Sequence, residues 1–126
     1  DALMAQQVAI LGASPKPERY ANRAQRLLTA HGHEVIPVNP ALETVEGVPT
    51  TPLEALPEGL DTITVYLGRA RMLPLVEALA ARSPQRVILN PGADDAEVVE
   101  ALEAAGLRVQ LACTLVLLDS GRFEAA

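Results

Sequence analysis

At 126 residues, with 49% hydrophobic residues and a net charge of −6, the chain is long enough for one core and too short for two ordinary domains, so residues 1–126 are expected to fold as one. A pI near 4.8, two Tyr, one Phe and no Trp supply neither the basic stripe nor the stacking platform of a nucleic-acid binder. No apolar run reaches the roughly 20 residues that span a bilayer, the start lacks a leader pattern, and the lone Cys113 with His31 and His33 leaves neither a disulfide nor a Cys-rich metal site; a soluble cytoplasmic protein without a metal is expected.

Val8 to Leu11 is a continuous apolar run, as in a strand buried on both faces of a parallel sheet, and Gly12 ends it. Tyr20 to Ala30 carries apolar or small residues at helical spacing, with Gly32 as its terminator. Glu34 to Val38 forms the second strand, and its internal Pro37, which cannot donate to a ladder, predicts an edge position or an irregular strand end. Residues 41–60, rich in Pro, Gly and Thr, form a looser connection with a helical turn at 51–56, Thr51 as N-cap and Pro52 as its first residue. Leu60 to Leu67 is the third strand. Met72 to Ala81 is a helix with Pro74 in its first turn, and Arg86 to Asn90 is the fourth strand, closed by Pro91-Gly92. Asp94 to Ala105 forms a helix whose early acids suit its dipole, Gly106 ends it, and Leu107 to Leu111 is the fifth strand. Periodicity does not decide between strand and helix for Cys113 to Leu118.

Repeated strand-then-helix order predicts a Rossmann-like α/β fold: a doubly wound parallel sheet of about five strands in a three-layer α/β/α arrangement. Ligands of such sheets sit at the carboxyl ends of the strands, which here assembles four turns: 12–20, 38–40, 67–69 and 90–92. The first turn carries the strongest signal. A strand-to-helix turn presents N–H groups without intrahelical partners, and the helix dipole adds positive potential. Residues 13–26 add Lys16, Arg19, Arg23 and Arg26 against Glu18, a local balance of +3 in an acidic chain. Phosphate is the natural occupant. A dinucleotide oxidoreductase would show G-x-G-x-x-G and a carboxylate ending the second strand, but positions 12, 14 and 17 are Gly, Ser and Pro and that strand ends in Val38-Asn39-Pro40. The sole lysine, Lys16, is not set in a Walker-type loop.

The segments I-L-G-A-S-P-K-P-E-R-Y, H-G-H-E-V-I-P-V-N-P, R-V-I-L-N-P-G and A-C-T-L-V-L-L together resemble the small single-domain CoA-binding proteins, which are similar to the CoA-binding domain of the succinyl-CoA synthetase alpha subunit. The resemblance runs from about Gln7 to Phe123. It implies that Gly12, Ala13, Ser14, Pro15 and Lys16 face the phosphates of coenzyme A, with Arg19 and Tyr20 continuing that contact. It further implies that Val38, Asn39 and Pro40 flank the adenine and ribose, that Leu67, Gly68 and Arg69 lie along the pantetheine, and that Asn90, Pro91 and Gly92 form the adjoining rim. Many relatives carry an Arg pair directly after the third strand and Trp-x-Gln-x-Gly at the fourth turn, where this chain has Leu67-Gly68 and Leu89-Asn90-Pro91-Gly92. The synthetase's phosphohistidine domain has no counterpart, so its ligase chemistry does not carry over.

A catalytic constellation is not evident. Cys113 follows the fifth strand at the carboxyl edge, where a thiol could meet a CoA thiol, but beside Leu115, Val116 and Leu117 it reads as a small buried hydrophobe. His31 and His33 read as capping or surface residues remote from the pocket, Asp94, Asp95 and Glu97 as first-turn acids, and Asp61 as the start of the third strand. The expected function is binding of CoA or an acyl-CoA without catalysis, with no nucleic-acid or membrane partner. A protein-interaction scaffold with a vestigial pocket, or an NAD(P)-binding redox sensor, are the alternatives.

Overall fold

Short apolar runs punctuated by Gly and Pro become five parallel strands with helices packed on both faces in the computed structural model, which describes residues 5–124. In chain order the elements are β1 (Gln7–Leu11), α1 (Tyr20–Ala30), β2 (Glu34–Val38), β3 (Thr44–Val45), β4 (Val48–Pro49), β5 (Thr62–Val65), α2 (Arg69–Met72), α3 (Val76–Ala80), β6 (Arg86–Leu89), α4 (Ala96–Ala104), β7 (Val109–Leu111) and α5 (Thr114–Asp119). The main sheet runs β2-β1-β5-β6-β7, and β3 and β4 form a separate hairpin. The chain leaves β1 toward β2 on one side and later returns to β5 on the other, so the strand order reverses across the β1/β5 crevice.

Alternation along the central strands divides the core into two layers. Ala9, Leu11, Ile63, Val65, Val87 and Leu89 face Leu53, Leu56, Met72, Leu79, Val98 and Leu102 on the α2–α4 side. Val8, Ile10 and Ile88 face Ala21, Leu28, Leu117, Leu118 and Phe123 on the α1/α5 side. Both faces are buried, which is why the strands read as continuous apolar runs; truncating Leu28 or Ile63 to Ala would cost about 2–5 kcal/mol. Register places Leu11 beside both Val38 and Val65, and Val65 beside Leu89, so the turns after these four strands meet on one edge.

Pro37 lies in β2, an outermost strand, in keeping with its missing donor. Other expectations differ from the structure. The turn near residue 51 is a 3-10 turn over Leu53–Ala55 with Pro52 at its N-cap and no side-chain cap, so Thr51 does not cap it. The helix expected from Met72 begins at Arg69, and Pro74 sits in a 3-10 turn, Leu73–Leu75, between α2 and α3: a proline lacks the N–H that would continue the α-helical ladder. The β3–β4 hairpin was not expected within the loose connection; Glu46 and Gly47, with φ of 51° and 75°, form its turn. Cys113 to Leu118, which periodicity left open, forms the N-cap and most of the body of α5. The third and fifth strands are also shorter than expected, β5 and β7 covering Thr62–Val65 and Val109–Leu111.

His33 is the remaining difference, since it is buried rather than at the surface. Its Nδ1 accepts the Gln6 N–H at 3.0 Å, so Nε2 carries the proton toward Glu124 Oε2 at 2.7 Å. The ring thus meets both neighbours, while Phe123 packs with its centroid 5.1 Å away. His31 does sit exposed at the end of α1.

Candidate functional site

The carboxyl edge of the sheet opens into a cavity of about 1110 Å³ at the β1/β5 crevice. Its floor is set by Gly12. With φ at +92° and a would-be Cβ only 2.9 Å from Leu67 Cδ2, this position admits glycine alone without a shift, and the β1 turn therefore packs directly on the end of β5. Neighbouring turns are tied together by hydrogen bonds. The Gly12 and Ala13 N–H groups both donate to the Val38 carbonyl, at 3.3 and 3.2 Å, and Asn39 Nδ2 donates to the Ala13 carbonyl at 2.9 Å.

Helix α1 holds the loop from the other side. Asn22, fully buried in its first turn, donates to the Ser14 carbonyl at 2.9 Å and to Glu46 Oε2 of the hairpin turn at 3.1 Å. Arg26 donates to Asn22 Oδ1 at 2.8 Å and to the Pro17 carbonyl at 2.7 Å. The head of α1 itself is left open: Arg19 is its N-cap, no side chain caps it, and its first turn contains no acid. An 11-residue helix with uncapped N–H groups is a ready anion acceptor. Lys16 and Arg19, on the cavity wall, make no side-chain hydrogen bond or ion pair among the described residues. Arg23 lies over the exposed Tyr20 ring, 5.1 Å from its centroid.

Of the expected site residues, Gly12, Ala13, Ser14, Lys16, Arg19, Tyr20, Val38, Asn39, Pro40, Leu67 and Pro91 line this cavity. Pro15, Gly68, Arg69, Asn90 and Gly92 do not. Arg69 turns away to pair with Glu97 at 2.9 Å. Asn90 is a buried brace: it donates to Thr64 Oγ1 and the Val65 carbonyl, and its Oδ1 accepts the Thr114 N–H at 2.8 Å. The Gly92 N–H donates to Asp94, while Asp95 caps α4 by accepting from the Glu97 and Val98 N–H groups. Among the described residues no cluster of His, Cys, Asp or Glu could hold a metal.

Sequence reasoning missed the wall formed by Leu42, Glu43, Thr50, Thr51, Leu53 and Glu54, together with Tyr66 and Arg71. The Val45-Glu46-Gly47-Val48 turn was the available signal for that wall, because it folds the connection after β2 back over the β2 end. Glu43 and Glu54 give this wall acceptors for an amine or a sugar hydroxyl. Tyr66 keeps its proton at neutral pH: burial pushes its phenol up to about 12, against the opposing influence of the Thr64 and Thr114 hydroxyls. Those two hydroxyls bond each other at 2.8 Å, and the phenol oxygen has no hydrogen bond of its own. Cys113 is half-buried at the N-cap of α5 and is not on the cavity wall.

A family model described as CoA binding domain matches residues 6–119. Among solved structures, an uncharacterised protein is 37% identical, with a TM-score of 0.87 over 94% of this chain and 98% of its own. A hypothetical protein from Pyrococcus horikoshii OT3 is 28% identical, with a TM-score of 0.83 over 92% of this chain and 83% of its own. The apo dinucleotide-forming acetyl-coenzyme A synthetase of Ca. Korarchaeum cryptofilum shares the fold at 20% identity, with a TM-score of 0.69 over 85% of this chain and 26% of its own. No curated protein matches the chain.

Proposed function

We propose that the chain, which belongs to the CoA binding domain family, binds coenzyme A or an acyl ester of it in the carboxyl-edge cavity and performs no reaction on it. The observation that carries this reading is the uncapped head of α1 beside Lys16 and Arg19, a positive anion seat in a protein of net charge −6. In this reading the pyrophosphate occupies the loop from Gly12 to Tyr20. The adenosine rests against Val38, Asn39 and Pro40 with Thr50 and Thr51 opposite, and the pantetheine arm runs over Leu67 toward Pro91. The Ser14 and Thr50 hydroxyls of the wall are engaged with backbone groups. The compartment in this reading is the cytoplasm. No helix among the described residues is long and apolar enough to cross a membrane.

A dinucleotide is the second reading, favoured by Glu43 and Glu54. The carboxylate absent from the end of β2 is replaced by two from the following connection, either of which can accept from a ribose diol. Calorimetric titration of nucleotide-stripped protein with CoA, NAD and ATP at one salt concentration separates the readings. Selective micromolar binding of CoA is expected; preference for NAD would replace the first reading with the second.

A further inference from the structure

The cavity carries unpaired cations on two walls, and only one belongs to the head of α1. Lys16 and Arg19 come from the segment after β1; Arg71 comes from α2, after β5. Two neighbouring arginines of α2 behave differently. Arg69 is paired with Glu97 outside the cavity, whereas Arg71 lines it and its guanidinium makes no hydrogen bond or ion pair among the described residues. Arg71 is thus a cavity-lining cation without a partner among the described residues, as Lys16 and Arg19 are. Glu43 and Glu54 share the cavity but pair with no cation, and they come from the connection after β2, not from the segment that carries Arg71. Leu67 and Leu75 line the same cavity, Leu67 just after β5 and Leu75 in the 3-10 turn that follows α2, so the segment that carries Arg71 brings both apolar and charged groups to it.

We propose that Arg71 forms a second anion subsite, which takes an anionic oxygen group of the ligand beyond its pyrophosphate: the 3′-phosphate of the nucleotide or a carboxylate ending an acyl group. This rests on the coenzyme A reading. The guanidinium fork matches either group through two parallel hydrogen bonds, whereas the head of α1 is already taken by the pyrophosphate. Leu67 and Leu75 give the methylene portion of an acyl arm an apolar surface.

The test titrates wild type and Arg71→Gln with 3′-dephospho-CoA, CoA, acetyl-CoA and malonyl-CoA, with thermal unfolding of both proteins as the control for folding. Arg71→Gln is expected to bind 3′-dephospho-CoA as wild type does. It is expected to lose about tenfold, the worth of a charged hydrogen bond, either for CoA relative to 3′-dephospho-CoA or for malonyl-CoA relative to acetyl-CoA. The first loss assigns the subsite to the 3′-phosphate and the second to an acyl carboxylate. An equal change for all four ligands, or none, overturns the subsite while leaving the coenzyme A reading intact. Failure of wild type to bind any of the four overturns that reading and the subsite with it.

Discussion

The two edges of the main sheet use polar residues in opposite ways. At the amino edge the groups close on one another. Arg86, only 3% exposed, donates to Thr62 Oγ1, Gln110 Oε1 and the Phe123 carbonyl, and its guanidinium lies 4.5 Å from the Phe123 ring centroid. Asp61 accepts the Gln7 N–H at 2.8 Å, and His33 joins Gln6 to Glu124. Burial pulls the Arg86 guanidinium below its usual range, with Arg108 adding to the effect, yet the surrounding acceptors hold its hydrogens. At the carboxyl edge the head of α1, Lys16, Arg19, Arg71 and the Tyr66 phenol have no protein partner among the described residues. At the amino edge the polar groups brace the fold, whereas at the carboxyl edge Asn39 and Asn90 brace it while Lys16, Arg19 and Arg71 line the cavity without a partner among the described residues.

The sharpest way to break this contrast is Arg86→Ala. It strands several buried acceptors and is expected to destabilise by about 3 kcal/mol in urea unfolding without changing CoA affinity in the folded fraction. Next is Gly12→Ala, which forces a Cβ against Leu67 at positive φ; about 2 kcal/mol of stability should be lost together with CoA affinity, because the floor of the cavity moves.

Glu124→Gln probes the amino edge through pH. Burial opposes ionisation of Glu124, but the hydrogen bond from His33, helped by a backbone contact, outweighs it and holds the carboxyl below 4.5. A depressed carboxyl contributes stability above its unfolded pKa and loses it as pH falls through the folded value. The stability advantage of wild type over Glu124→Gln should therefore be full at neutral pH and shrink below about pH 4.5, as read by unfolding midpoints across an acid series. An advantage independent of pH would locate its origin in packing instead. The smallest effect is expected from Tyr66→Phe. Removing a buried hydroxyl that has no hydrogen bond should leave the thermal midpoint unchanged or raise stability by up to about 1 kcal/mol.

What was legible in the sequence follows the same physics. Helix α1 and strand β2 match their expected bounds because a glycine or proline marks their ends and periodicity fills their middles. The first loop was legible because a run of cations beside a strand-to-helix turn is a local signal. The wall from Leu42 to Glu54 was not, since two-residue strands have no periodicity and their position over the cavity depends on Gln25 Nε2 reaching the Val45 carbonyl and Asn22 reaching Glu46. Arg69 and Asn90 were expected on the ligand path from their turn positions. Their partners, Glu97 and the Thr64–Thr114 pair, come from sequence-distant elements, which local pattern cannot see.

The most direct measurement is calorimetric titration of CoA into wild type and into the Lys16→Ala/Arg19→Ala double variant, with unfolding followed on the same samples. Wild type is expected to bind CoA saturably, the double variant to lose about a hundredfold as two charged contacts disappear, and the unfolding midpoints to coincide. No binding by wild type, or equal binding by both proteins, would contradict a coenzyme A site at the head of α1.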